Sequence, residues 1–313
     1  MRWEDFRRSK NVEDRRGEGG GLGGGFGGGL GGGLGRGGRI GGRGGLGIGG
    51  LIVIGLIAWA TGINPAVLIG GAEILLGDGD SSGYSQPQGQ SAPPRNLSAE
   101  DKKLGDFAAV ILAQTEDVWT PIFKAEGATY QEPGLVLFEG ATGSACGNAD
   151  SAVGPFYCPR DQKVYLDTSF FNEMSQRFRA PGDFAAAYVI AHEVGHHVEN
   201  QMGLLAKVQA AQRGASRAEA NALSVKVELM ADCLAGVWAH HADAKWRILQ
   251  DGDIQEAMNA ASAIGDDRLQ KQSQGYVVPD SFTHGTSAQR MKWFKLGLDN
   301  GSAQRCNTFQ SNI

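Results

Sequence analysis

Cysteine is scarce in this 313-residue chain and comes late: there are four, none before Cys146, and no two are spaced Cys-x-x-Cys. Without that spacing a zinc site built of thiolates has little support. A basic excess is also lacking; the net charge of −5 removes the electrostatic case for nucleic-acid binding. An Asp78-x-Asp80-x-Ser82-Gly83 pattern lacks the bidentate glutamate that closes a calcium loop, because Gly89 stands at its twelfth position. Residues 17–50 have almost nothing with which to bury a core, since 23 of the 49 glycines fall there. Leu22, Phe26, Leu30 and Leu34 recur every fourth residue in that stretch. Glycine opposes a helix by about 1 kcal/mol per residue, so the recurrence reads as a low-complexity repeat.

Charge is absent altogether from Gly44 to Ala72, 29 residues with their apolar density greatest at 51–60. Roughly 20 apolar residues span a bilayer as a helix. Nine Arg and Lys precede this run against five acids, which points to a cytoplasmic N-terminus. Ala58-x-Ala60 imitates a signal-peptidase site, but a 43-residue leading region is too long for an ordinary signal peptide. The expected organisation is a glycine-rich disordered cytoplasmic tail over 1–43 and a transmembrane anchor over 44–72. A linker over 73–96, rich in Gly, Ser, Gln and Pro from Gly77 onward, leads to a folded domain over 97–313 outside the cytoplasm. All four cysteines fall on the far side of the span, where disulfides are permitted. Of three possible connectivities, pairing the nearest in sequence gives Cys146–Cys158 and leaves Cys233–Cys306; four free buried cysteines are the alternative.

Within the domain, Phe184 to Ile190 is apolar and free of Gly and Pro, and it runs into Ala191-His192-Glu193-Val194-Gly195-His196-His197. On a helix His192 and His196 sit one turn apart on one face, so both imidazoles can ligate a single zinc ion beside the Glu193 carboxylate. A third ligand is sought in the run Arg217 to His240, for which Ser216 and Glu219 make a capping box. There Glu228 and Asp232 are four apart among Leu229, Met230, Ala231, Leu234, Ala235 and Val237. Carboxylates in such apolar company need partners. Glu228 is read as a zinc ligand, and Asp232 as the acceptor for the free N–H of a ligand histidine. His197 points about 100° away around the helix and is assigned to support or surface. His240 and His241 are assigned to the helix dipole at the end of their own helix.

Ser98 to Trp119 reads as a helix, Leu135–Phe138 and Lys163–Leu166 as strands, and the segment around Phe170 to Phe178 as an amphipathic helix. Asp253 to Ile264 and Thr286 to Leu298 read as further helices, the latter preceded by His284 in a Gly-flanked loop.

The pattern His192-Glu193-x-x-His196 with Glu228-x-x-x-Asp232 resembles the gluzincin type of zinc peptidase. From about Ser98 to Phe309 the chain is similar to the bacterial family of putative neutral zinc metallopeptidases. Further stretches carry that likeness: 143–147 (GSACG), 154–159 (GPFYCP), 164–167 (VYLD), 228–236 and 281–285 (SFTHG). The resemblance implies a zincin-like α+β fold, mainly helical with a small sheet, following the single transmembrane helix. It implies one Zn²⁺ per chain and a protein or peptide substrate; with the apolar span and its basic flank, a bacterial chain of this kind is expected in the inner membrane with the catalytic domain outside. His192, His196 and Glu228 would hold the zinc and Glu193 would be the general base. His284, or else Tyr157 or Tyr165, would stabilise the oxyanion, and a peptide would pair in extended form with the edge of Leu135–Phe138. Two other functions compete: a zinc-binding membrane module without turnover, which has no need of Glu193, and hydrolysis of cell-wall peptide amides. The oligomeric state is not written in the sequence.

Overall fold

The computed structural model describes residues 1–17, 97–150, 153–176 and 180–311. The architecture is α+β, mostly helical with two small sheets. Strand β1 (Val12–Asp14) comes first, then helix α1 (Ala99–Ala125) and strands β2 (Gly134–Phe138), β3 (Ala141–Ser144), β4 (Gly147–Asp150), β5 (Phe156–Cys158) and β6 (Lys163–Asp167). Helices follow: α2 (Ser169–Gln176), α3 (Asp183–Gln201), α4 (Leu204–Gln212), α5 (Arg217–Trp246), α6 (Asp253–Ala263), α7 (Asp266–Gln274) and α8 (Ser287–Asn300). The capping box Ser216/Glu219 starts α5 as its spacing predicts, and Ser98 with Asp101 forms another at the start of α1. The first of these helices runs on past Trp119 and through Pro121. Helix α7 was not legible: its sequence DDRLQKQSQ offers one large apolar side chain, Leu269, and buries Asp266 instead.

The main sheet has the order β1-β2-β6-β5, parallel across its first three strands and antiparallel at β5. Strand β2 is therefore interior, which corrects the expectation that Leu135–Phe138 is an exposed edge. The physical reason lies in its unbroken apolar run. Leu135 and Leu137 face the large helical core, while Val136 and Phe138 face a second cluster with Ala149, Cys158 and Tyr165. A strand covered on both faces shows no polar alternation. The disulfides are Cys146–Cys158, which closes this second cluster, and Cys233–Cys306, and no cysteine is free.

Residues 1–17, expected in a disordered tail, are an integral part of this domain. Val12, Glu13 and Asp14 pair in register with Leu135, Val136 and Leu137. Trp3 is buried edge-on against Phe107, with ring centroids 5.2 Å apart. Arg7 forms ion pairs with Glu116 (2.8 Å) and Asp117 (2.7 Å), and Ser9 donates to Glu116. The Met1 ammonium lies 2.6 Å from Asp183 and 3.3 Å from Asp253. Asp183, Asp253 and Glu256 are close enough together to resemble a cation site, and this ammonium supplies the charge they need. Among the described residues no helix is long and apolar enough to cross a membrane. The expected span 44–72, the remainder of the tail and the linker lie outside the described residues.

Glycine decides how closely the site-bearing helices approach. A Cβ on Gly195 would stand 3.0 Å from the Ala231 carbonyl oxygen, so the histidine helix α3 can lie directly against α5. Gly236 of α5 and Gly297 of α8 face each other reciprocally: a Cβ on the first would overlap the Phe294 carbonyl, and one on the second the Cys233 carbonyl. Three helices are thereby locked at backbone contact around the residues described next.

Candidate metal centre

Helix α3 projects His192 and His196 from one face, their rings 4.8 Å apart and nearly perpendicular. Helix α5 brings Glu228 between them, 3.2 Å from Nε2 of His192 and 3.6 Å from Nε2 of His196. One ligand atom from each of the three lies within 4.8 Å of the others, as a bound metal ion requires. Each imidazole is held from behind. Nδ1 of His192 is 2.9 Å from Asp232, and Nδ1 of His196 is 2.8 Å from Glu199. A carboxylate can only accept, so each Nδ1 carries a hydrogen; each Nε2 faces Glu228, where a protonated nitrogen pairs with that carboxylate and a deprotonated one offers its lone pair to a metal ion. Two lone pairs and one carboxylate converging from rigid helices fit a zinc ion by the chemistry of the donor set.

The electrostatics agree. Burial disfavours a charged His192, yet the hydrogen bonds to Asp232 and Glu228 outweigh it and raise its pKa to about 10. Burial likewise opposes ionisation of Glu228, but the cationic form of His196 and neighbouring His284 and His192 hold it well below the usual range. Such a site binds positive charge strongly; a proton or a dication can supply it. Glu193, beside the cluster, is raised by burial, against the pull of His192 and His196. Among the described residues its carboxylate is held by no hydrogen bond, which leaves it free to accept one.

Behind this layer stands a group of residues that the sequence reading missed. Arg290 of α8, fully buried, grips Asp232 with Nε and Nη2, both at 2.9 Å. The Tyr188 hydroxyl donates to Asp232 at 2.5 Å. Glu199 is buried and raised to about 7, chiefly by burial, with the His196 hydrogen bond pulling the other way. Offsets on the helix could have revealed two of these: Tyr188 precedes His192 by four and Glu199 follows His196 by three. Nothing local marks Arg290.

His284 is buried at the same centre, close enough for its charge to act on Glu228. Its Nδ1 is 3.1 Å from Oδ1 of Asp266, while Oδ2 of that aspartate accepts from the backbone N–H groups of Thr283, His284 and Gly285. The loop is thus wrapped around one carboxylate. The two tyrosines considered for the same role are engaged elsewhere. Tyr157 bonds His197 and Asn200, and Tyr165 donates to Asp161 at 2.7 Å, stacked on Phe156. His197 is neither at the surface nor behind the metal ligands. It is buried between Tyr157 and the Gln131 carbonyl, and burial lowers it to about 4, so it is neutral. His240 and His241 also differ from expectation. Their helix continues to Trp246, and they donate to the carbonyls of Leu298 and Gly301 at the end of α8. The dipole they serve belongs to α8.

A match to the family described as putative neutral zinc metallopeptidase extends over residues 1–309. The chain belongs to that family. It is 47% identical to the uncharacterized protein YpfJ of Escherichia coli K12 over 313 residues, the full length of both. To the uncharacterized protein Mb2605 of Mycobacterium bovis it is 37% identical over 264 residues, 81% of this chain and 85% of the relative. No solved structure matches it. For this metallopeptidase family member the region of likeness begins at residue 1, well before Ser98, in keeping with the placement of β1 in the sheet.

Proposed function

We propose that this protein is a zinc-dependent peptidase whose metal is held by His192, His196 and Glu228. The observation that carries the reading is the convergence of the two Nε2 atoms on Glu228, each imidazole fixed from behind by its own carboxylate, with Glu193 unencumbered beside them. Zinc bound there supplies Lewis acidity to a water molecule and to the scissile carbonyl. Glu193 takes the proton of the attacking water and gives it to the departing amine; its raised affinity for a proton suits both tasks. His284, its charged form favoured by Glu228 and Asp266 against the cost of burial, donates to the oxyanion from the ring nitrogen that does not face Asp266. A peptide in extended form adds at β5, the sheet edge whose Tyr157 packs on His197 of α3. The two disulfides support a catalytic domain outside the cytoplasm.

The test is zinc stoichiometry and peptide cleavage measured side by side. His192→Ala, His196→Ala and Glu228→Ala should lose zinc and hydrolysis together. Asp232→Asn should lose about 10–100-fold in metal affinity or activity. Glu193→Gln should keep zinc near one per chain while turnover falls by about 10²–10⁴-fold. Wild-type cleavage by Glu193→Gln, or retained zinc in Glu228→Ala, overturns the proposal.

A further inference from the structure

A single membrane crossing by residues 44–72 would leave residues 1–17 on one face and the catalytic domain on the other. The packing described above does not allow that separation. Strand β1 supplies an edge of the main sheet in register with β2, and the backbone N–H groups of Arg2 and Ser9 donate to the carbonyls of Ile248 (2.8 Å) and Ala109 (2.9 Å). Trp3 and Met1 are part of the same buried core as Phe107 and Ile248. These contacts reach α1, the main sheet, the start of α3 and the segment before α6, so they are spread over the whole domain.

The charges that suggested a cytoplasmic tail also have other employment. Arg7 is paired with Glu116 and Asp117, and Arg16 is buried against Asp14 at 2.6 Å and bonds the Asp101 carbonyl. The preference for basic residues on the cytoplasmic face is counted over short unfolded flanks, and folded domains translocate largely regardless of charge. Half of the basic flank, or more, therefore belongs to a folded surface. Two helical crossings would restore both ends to one face, but they need roughly 40 apolar residues. Arg43 and Glu73 bound an uncharged run of only 29.

We propose that residues 1–17 and 97–311 lie on one face of the membrane, so that no single crossing separates them. The proposal rests on the docking of β1 and stands or falls separately from the peptidase reading.

The experiment uses the full-length protein in its native membrane. Lys10 and Lys271 are both exposed, one on the N-terminal segment and one on the catalytic domain, and each is changed singly to cysteine. A membrane-impermeant maleimide is applied to intact spheroplasts and, as a positive control, after lysis. Lys10→Cys and Lys271→Cys should behave alike, both labelled or both protected, and the sign of the result also names the face. Labelling of one before lysis and of the other only afterwards overturns the proposal. A second measurement does not depend on reagent access to one face. Glu13 and Lys163 meet at 2.8 Å, so a Glu13→Cys/Lys163→Cys variant treated in sealed membranes with a short, permeant bismaleimide should form an intramolecular link detectable by peptide mapping. Separate modification of the two cysteines, with no link, would overturn it.

Discussion

Asp266 shows how a single side chain can set both the position of a buried histidine at the candidate centre and the acid sensitivity of the loop that carries it. It bonds none of His192, His196 and Glu228, yet it collects three backbone N–H groups and the ring of His284. Burial alone would raise its pKa, but the His284 hydrogen bond and charge, with the backbone donors, hold it below the ordinary value. A group whose folded pKa is depressed stabilises fully above its unfolded value, about 3.9 for Asp, and that contribution is lost as pH falls through the folded value. The loop carrying His284 should therefore loosen below about pH 4, as hydrogen exchange at Thr283–Gly285 would record, and Asp266→Asn should remove that acid-side step. His284→Ala should retain zinc and lose about a hundredfold or more in turnover. Equal loss of zinc would make His284 a ligand, and unchanged turnover would leave it a packing residue.

At the scale of elements, the metal centre depends on backbone contact between helices. Glu228 reaches His192 and His196 because Gly195 lets α5 approach α3, and Arg290 reaches Asp232 because Gly236 and Gly297 let α8 approach α5. A methyl group at Gly297 meets the backbone of Cys233, which cannot rotate away as a side chain would. Overpacking of this kind costs about 1–3 kcal/mol or more. Gly297→Ala should thus lower the thermal midpoint and also weaken zinc binding through Arg290 and Asp232, although the substitution lies far along the chain from every ligand. Unchanged zinc affinity in a destabilised Gly297→Ala protein would show that α8 does not transmit to the centre. The helices themselves were legible from periodicity and caps. Their spacing was not, since a glycine in a helix reads equally as a weak point or a close approach.

For the molecule as a whole, the folded domain is incomplete without the start of the chain. Removing residues 1–16 uncovers the outer edge of β2, empties the site of Trp3 and leaves Glu116, Asp183 and Asp253 without their cations. Burial of one large apolar side chain is worth about 1.5–3 kcal/mol, and unpaired buried carboxylates add to the loss. A truncated protein beginning at residue 97 should unfold about 10 °C or more below the full chain, by the usual conversion of a few kcal/mol for a domain of this size. Adding a synthetic peptide of residues 1–16 should recover part of that difference. Identical midpoints with and without the segment would remove it from the fold.

The sequence by itself determined which residues compose the candidate centre and the local structure that presents them. His192 with His196, and Glu228 with Asp232, lie at fixed helical offsets, and Ser98 and Ser216 lie three residues before the acids that complete their caps. Such offsets fix geometry wherever the helix is placed. Only the tertiary structure decided what stands behind and around those residues. Arg290 meets Asp232 across 58 residues, and Val12 meets Leu135 across a far longer stretch. Arginines near an N-terminus look the same whether they flank a membrane or fill an acidic recess. Which of these they do depends on shape and charge presented by remote parts of the chain, and that information exists only once the chain has packed.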